Sequence, residues 1–210
     1  GRRDVDVYPV LVDGVAPRDL EYRFQWNAPI LISPHDPDML YHTSQVVHLS
    51  RDGGQSWETI SPDLTTDDPE KQGLPGGPLQ HDHTSVEVYN TIFAFVESPH
   101  TAGELWAGSD DGLIHLSRDG GATWADVTPP QMPVEGTVNT LEISPHQAGR
   151  VIATVYNYRM NDFAPYVFKT EDHGATWKVL TDGSNGIPAD TPVRVVREDP
   201  DRRGLLYAGT

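Results

Sequence analysis

The sequence contains no cysteine, which excludes thiol catalysis, disulfide bonds and cysteine-ligated zinc. It is also poor in positive charge, because 15 lysine and arginine residues stand against 31 aspartate and glutamate residues, for a formal net charge of −16. Phosphate recognition needs clustered lysine and arginine, so this composition argues against binding to nucleic acid or to an anionic membrane surface. No stretch approaches the roughly 18 consecutive apolar residues of a transmembrane helix, and no apolar signal-peptide segment opens the sequence.

Glycine and proline, by contrast, are abundant, with 19 and 18 residues in a chain of 210. Both favour turns, and the segments between them are short and rich in Val, Ile, Leu, Tyr and Trp. No segment shows a sustained period of 3.6 residues. The pattern predicts an all-β protein built from many short strands, with almost no helix.

An octapeptide with the pattern Ser/Thr-x-Asp-x-Gly-x-x-Trp occurs three times, at residues 50–57, 117–124 and 170–177. Its aspartate can accept hydrogen bonds from backbone N–H groups of its own turn, and its glycine supplies a conformation closed to residues with a Cβ. The tryptophan is expected to hold the turn onto its sheet. We therefore predict a structural role, not a catalytic or calcium-binding one, for these positions. They are Ser50, Asp52, Gly54, Trp57, Ser117, Asp119, Gly121, Trp124, Thr170, Asp172, Gly174 and Trp177.

The tripeptide Ser-Pro-His precedes each octapeptide, at 33–35, 98–100 and 144–146, and a degenerate copy stands at 198–200. With the apolar runs around them, these motifs give four strand-like segments per unit. Units of about 50 to 65 residues with four strands are typical of β-propeller blades. The sequence thus predicts about three and a half blades of four antiparallel strands, within a larger propeller of about seven blades. A small ring completed by N-terminal strands is the alternative.

The repeat divides the chain into consecutive segments. Residues 1–27 are expected to end a preceding blade, 61–90 to form a long inter-blade loop, and 193–210 to begin a truncated blade. Complete blades, each with one octapeptide, are expected at 28–60, 91–128 and 138–181.

The octapeptide resembles the Asp-box, or BNR repeat, of sialidases, xyloglucanase-type glycoside hydrolases and the sortilin (VPS10) propellers. Residues 22–29, 60–64 and 106–112 look most like the bacterial sortilin-like propeller proteins, which are often labelled glycosyl hydrolase. The resemblance covers essentially the whole chain and implies the fold more strongly than the function. In the resembled propellers the Asp-boxes lie away from the binding site. Such proteins are usually exported, which implies an extracellular or periplasmic location.

The opposite face would then carry the function, and two of its loops are long. The loop 61–90 contains His81 and His83, alternate residues that would face one way on a strand and could ligate a metal. Five of the nine histidines belong to the repeat, so histidine is common here for other reasons, and we expect no metal and no cofactor.

The second long loop, residues 156–165, presents side chains that are common at binding surfaces. We predict a binding role for Tyr156, Tyr158, Arg159 and Asp162, together with the two histidines of the first loop.

Three functions fit these observations. The first is a non-catalytic module that binds a peptide, a protein or a carbohydrate. The second is part of a glycoside hydrolase, which needs two carboxylates about 5 to 10 Å apart. The third is a structural module of an extracellular assembly. Sialidase activity is not expected, because Arg23-Phe-Gln does not match the Arg-Ile-Pro motif of that family.

No spacing in the sequence selects a pair of acids for the second function. Asp110-Asp111-Gly112 is also a common sequence for the turn of a hairpin between two strands. The candidate catalytic acids are Asp67, Asp68, Glu87, Asp110, Asp111 and Asp162.

Overall fold

The computed structural model describes residues 5–10, 12–81, 84 and 86–210. Its strands form three four-stranded sheets and one two-stranded sheet, all antiparallel, with neighbouring strands consecutive in sequence. The predicted all-β class, with sheets arranged as blades, is confirmed. Three short 3-10 segments, Pro17–Asp19, Pro69–Lys71 and Tyr158–Met160, are the helical elements of the described part. None of them is long and apolar enough to cross a membrane.

The bounds of the strands follow the apolar runs of the sequence. The first blade contains β1 (Ile30–Ile32), β2 (Leu40–Thr43), β3 (Val47–Ser50) and β4 (Glu58–Thr59). The second contains β5 (Ile92–Glu97), β6 (Leu105–Ser109), β7 (Ile114–Ser117) and β8 (Ala125–Asp126). The third contains β9 (Thr137–Ile143), β10 (Val151–Asn157), β11 (Asp162–Thr170) and β12 (Lys178–Val179). The two-stranded sheet pairs β13 (Val195–Glu198) with β14 (Leu206–Gly209).

The hydrophobic core lies between adjacent blades. Successive side chains of a strand point to opposite faces of its sheet. On β6, Leu105 therefore packs with the first blade, while Trp106 packs with Val151 and Phe168 of the third blade. Both side chains are fully buried. A smaller cluster, which includes Val193 and Val196, joins the third blade to the two-stranded sheet.

The octapeptide turns share one hydrogen-bond pattern. In the second copy, the Ser117 hydroxyl donates to Asp119 and accepts from the Gly121 N–H, each at 2.9 Å. The Thr123 N–H and hydroxyl donate to the two Asp119 carboxylate oxygens, at 2.9 and 2.6 Å. The same bonds recur in the other two copies. Such bonds favour the ionised carboxylate, and those from Ser56 lower the pKa of Asp52 to about 2.

The tryptophans that end the turns contact the preceding blade as well as their own turn, in which the Trp124 indole N–H lies 3.1 Å from the carbonyl oxygen of Gly121. The Trp124 indole N–H donates to the carbonyl of Ile60 at 3.0 Å, and that of Trp177 donates to the carbonyl of Val127 at 2.7 Å. Both carbonyls lie just beyond the outermost strand of the preceding blade, so each indole joins two blades and does not only hold the turn onto its own sheet. Within the described residues the Trp57 indole nitrogen is buried without a hydrogen-bond partner.

The Ser-Pro-His histidines make a second set of contacts between blades. His35 Nε2 lies 2.8 Å from the carbonyl oxygen of Ser98, and His100 Nε2 lies 2.8 Å from that of Ser144. His146 Nε2 lies 2.7 Å from the carbonyl oxygen of Asp199, which precedes Pro200 as the serine precedes the proline in the complete copies. The recurrence of this tripeptide thus reflects a repeated bond from one blade to the next.

Candidate binding face

The order of strands in each blade separates the molecule into two faces. Octapeptide turns and Ser-Pro-His turns both lie at one end of the sheets, because they follow the third and the first strand of an antiparallel blade. The loops between second and third strands, and those between blades, lie at the other end. Two adjoining clefts open on that second face.

The first cleft has a volume of about 560 Å³. Its walls combine aromatic, cationic, acidic and amide side chains from the N-terminal segment, from the loop that follows the first blade, and from the second and third blades. The lining residues include Gln25, Trp26, Glu87, Phe93, Asp110 and Arg159.

Trp26 is the most prominent aromatic side chain of this cleft. It is 70% exposed, and its indole N–H donates to the Glu87 carboxylate at 2.7 Å, which fixes the ring while leaving it open to solvent. The neighbouring Gln25 accepts a bond from the Asn27 N–H through Oε1. Gln25 Nε2 is buried and has no hydrogen-bond partner among the described residues. The cleft therefore offers a flat apolar surface that a ligand can reach.

The second cleft, of about 640 Å³, shares Lys71 and Tyr89 with the first. The Lys71 ammonium pairs with the Glu135 carboxylate and lies 5.9 Å from the centre of the Tyr89 ring. Lys71 therefore stands between the two clefts and joins the loop after the first blade to the one after the second blade.

Arg23 holds that long first loop in place. This side chain is 5% exposed, and its Nε donates to the carbonyl of Asn90 at 3.0 Å. One terminal nitrogen lies 2.6 Å from the Asp63 carboxylate, and the other lies 3.2 Å from Asp67. Both ends of the loop are thus tied to one buried guanidinium.

Asp111 makes a second connection to the same loop. Its carboxylate accepts bonds from the Thr66 N–H at 2.8 Å, from the Thr66 hydroxyl at 2.7 Å and from the Asn90 side-chain amide. The Ser109 hydroxyl binds its other oxygen. Four donors therefore occupy this acid, which gives it a positioning role.

Asp110 has a different environment, although it is the neighbouring residue. It is 4% exposed at the end of β6, and its carboxylate accepts bonds from the Thr91 N–H at 2.9 Å and from the Thr91 hydroxyl at 2.8 Å. Burial raises the pKa of this carboxyl from 3.8 to about 7, against the opposing effect of Thr91. Asp110 thus exchanges a proton near neutrality at the wall of the first cleft.

A pH-dependent loss of stability is expected from Asp110. Below about pH 4 the group is protonated in both the folded and the unfolded chain, so its burial has no ionisation cost. As the pH rises from about 4 to about 7 the unfolded chain ionises first, and the free energy of unfolding falls. Asp110→Asn keeps the shape and removes the ionisation. As the pH rises from 5 to 8, we expect the free energy of unfolding of this variant, measured with urea, to increase by about 2 kcal/mol relative to that of wild type.

Comparing the two proteins at each pH cancels contributions from other groups, such as His48, whose pKa burial lowers to about 4. Parallel pH profiles for wild type and variant would contradict the assigned state of Asp110.

The insertion in the third blade brings an aromatic pair together with two arginines. The ring centres of Tyr156 and Tyr158 are 4.9 Å apart. The Arg159 guanidinium carbon lies 5.5 and 5.6 Å from these centres, and that of Arg194 lies 5.0 and 4.8 Å from them. Tyr156 also meets Phe93 edge to face, which links this cluster to the first cleft.

Comparison with solved structures identifies the architecture. An ancestral GH74 enzyme overlaps with TM-score 0.62 at 19% sequence identity, covering 94% of this chain and 23% of that one. A GH74 enzyme from Niastella koreensis overlaps with TM-score 0.57 at 16% identity, covering 85% of this chain and 24% of that one. The fold is a β-propeller. This chain spans about a quarter of each of those enzymes.

Other comparisons add little to the propeller assignment. YCF48 bound to a D1 peptide overlaps with TM-score 0.43 at 18% identity, covering 77% of this chain and 44% of that one, which is too weak to bear on function. No protein-family model matches the sequence. No curated protein matches it either.

The other predicted site residues lie at several places on the propeller. Asp162 accepts bonds from the Tyr166 hydroxyl at 2.6 Å and from the Ala164 N–H, which lowers its pKa. His81 forms an isolated bridge with Gly76, and His83 lies outside the described residues. Asp67 and Asp68 line the second cleft. No group of three metal-ligating side chains occurs among the residues that the structure describes.

Sequence reasoning did not select several residues of this face. Trp26 stands within a stretch that carried the family resemblance, yet no spacing marked it as a binding residue. Lys71 and Tyr89 belong to the long loop, whose length was the signal. Arg194 lies outside both long loops, and nothing in the sequence connects it with Tyr156.

Proposed function

We propose that this chain is part of a binding propeller, similar to the sortilin-like Asp-box propellers, whose cleft-bearing face takes a peptide or a glycan without cleaving it. The main support for this proposal is the surface of the first cleft. It combines the exposed Trp26 ring with side-chain donors and acceptors, as ligand pockets generally do.

The state of the candidate acids supports the absence of catalysis in this proposal. Asp67 pairs with Arg23, Asp111 accepts four donors, and Asp162 binds Tyr166. Three of the candidates are therefore engaged in holding loops, a role that explains their presence without a reaction.

The N-terminal part of the proposal, that residues 1–27 end a preceding blade, is supported by one contact. A Cβ on Gly121 would meet Ile60, and one on Gly174 would meet Val127, residues just beyond the preceding blade's outermost strand. A Cβ on Gly54 would meet Val5 in the same way. Val5 thus stands where the end of a preceding blade would stand. From the family resemblance we also propose that the protein is exported to the extracellular space or the periplasm.

The binding function is tested by screening the purified chain on glycan and peptide arrays, followed by calorimetry with the best ligand. Trp26→Ala is expected to weaken that ligand at least about tenfold, because an exposed aromatic ring in a cleft is a common energetic centre of binding. Tyr207→Ala removes another exposed aromatic side chain, from β14, and should leave the affinity unchanged.

Two outcomes would count against the proposal. An array without any ligand would favour the third hypothesis, a structural module. A ligand that Trp26→Ala binds as tightly as wild type would place the binding surface elsewhere.

A glycoside hydrolase is the second candidate, and one observation favours it. Asp110 and Glu87 line the same cleft, and Asp110 titrates near neutrality, as a general acid should. The solved GH74 enzymes that share the fold are consistent with this candidate. Formation of reducing ends from β-glucan oligosaccharides, lost in both Asp110→Asn and Glu87→Gln, would establish it in place of simple binding.

A further inference from the structure

Two arginines converge on one pair of tyrosine rings. Arg159 and Arg194 are both exposed, and both guanidinium carbons lie within 4.8 to 5.6 Å of the Tyr156 and Tyr158 ring centres. Among the described residues, neither arginine has a carboxylate within ion-pair distance. In a chain with a net charge of −16, two cations that lie together without such an ion pair among the described residues call for a functional explanation.

The fold positions both side chains. The backbone carbonyl of Arg194 accepts bonds from the Thr154 hydroxyl at 3.1 Å and from the Asn139 side-chain amide, so its main chain is fixed to the third blade. Arg159 lies in the 3-10 turn Tyr158–Met160, directly after β10. The ring faces attract both guanidinium groups, whose mutual repulsion a bound anion would relieve.

This pair of arginines is continuous with the first cleft. Arg159 lines that cleft together with Phe93 and Trp26, and Phe93 touches Tyr156. Three acids line this cleft, namely Glu70, Glu87 and Asp110. Asp110, whose charge interacts with Arg159, is buried and has a pKa of about 7, so it only partly offsets the positive charge at neutral pH. An anionic group at Arg159 and Arg194 could therefore belong to the same molecule that contacts Trp26.

We propose that the cleft binds an acidic saccharide, with the carboxylate of a uronic acid unit held by Arg159 and Arg194 and the sugar rings lying along Trp26. Guanidinium groups bind carboxylates through paired, charge-assisted hydrogen bonds. The exposed indole face of Trp26 suits the flat apolar faces of sugar rings, which favours a saccharide over an acidic peptide. The inference rests on the proposed binding function and specifies its ligand.

The experiment uses the whole chain and two matched probes, a short homogalacturonan oligomer and its fully methyl-esterified counterpart. Calorimetry should show the acidic oligomer binding at least about tenfold more tightly than the ester. Arg194→Gln should lower the affinity for the acidic oligomer to about that for the ester. Arg118→Gln, an exposed arginine on the octapeptide face, should behave like wild type.

Equal affinities for the two oligomers would overturn the inference, as would an Arg194→Gln variant that folds normally and keeps the preference. A glutamate-rich peptide that binds more tightly than the oligomer would assign the arginines to a different class of ligand. If neither oligomer binds, but an array ligand binds in a Trp26-dependent manner, the inference fails and the binding function stands. If no array ligand binds, both fail.

Discussion

Replacing Gly121 with alanine is expected to lower the free energy of unfolding by about 3 kcal/mol. This glycine has a φ of +96°, which disfavours any residue with a Cβ. The added Cβ would also lie 2.8 Å from both the carbonyl oxygen and the side chain of Ile60, across the blade interface. Chemical denaturation monitored by tryptophan fluorescence measures the loss.

The adjacent Gly120 supplies the matched control. Its φ is +71°, but a Cβ there would meet nothing within 4 Å. Gly120→Ala should therefore cost about 1 kcal/mol, the backbone penalty alone. The third octapeptide already carries His173 at this position, with a φ of +57°. Equal losses in the two variants would show that the blade contact behind Gly121 does not contribute.

Removing the guanidinium group of Arg23, as in Arg23→Met, is expected to lower the free energy of unfolding by about 3 kcal/mol. The substitution leaves Asp63 without its cationic partner and the carbonyl of Asn90 without its arginine donor, at a site where the arginine side chain is 6% exposed. The long loop after the first blade should loosen as a result, so that ligand binding in the first cleft weakens as well. Urea unfolding and calorimetry report the two effects separately.

Arg51→Met is the control for this charge deletion. Arg51 pairs with Glu58 at 3.0 Å, but the two side chains are 60% and 56% exposed, and such surface pairs contribute less than about 1 kcal/mol. A loss for Arg23→Met as small as that for Arg51→Met would mean that the loop is held by other contacts, such as those of Asp111.

The blades could be predicted from the sequence because their signals are local. The octapeptide and Ser-Pro-His recur beside apolar runs, and turn chemistry with strand propensity acts over a few residues. The hydrogen-bond partners of the tryptophans and histidines could not be predicted in the same way. Trp177 donates to Val127, and His35 lies against the carbonyl of Ser98, so each contact depends on how one blade packs against the next.

The candidate site was predicted only in part, for a related reason. Loop length pointed to the segments that line the clefts, and residue type pointed to Tyr156, Tyr158 and Arg159. Arg194 joins them from the following blade, and Arg23 reaches across the chain to Asp63 and Asn90. Charges that meet through the tertiary fold leave no mark in spacing along a single sequence.

Amide hydrogen exchange with and without the tightest array ligand tests most directly whether function lies on the face opposite the octapeptides. We expect slower exchange in residues 66–75, 86–90 and 156–162, around the two clefts. We expect no change in the turns at 50–57, 117–124 and 170–177. Protection confined to those turns would contradict this expectation.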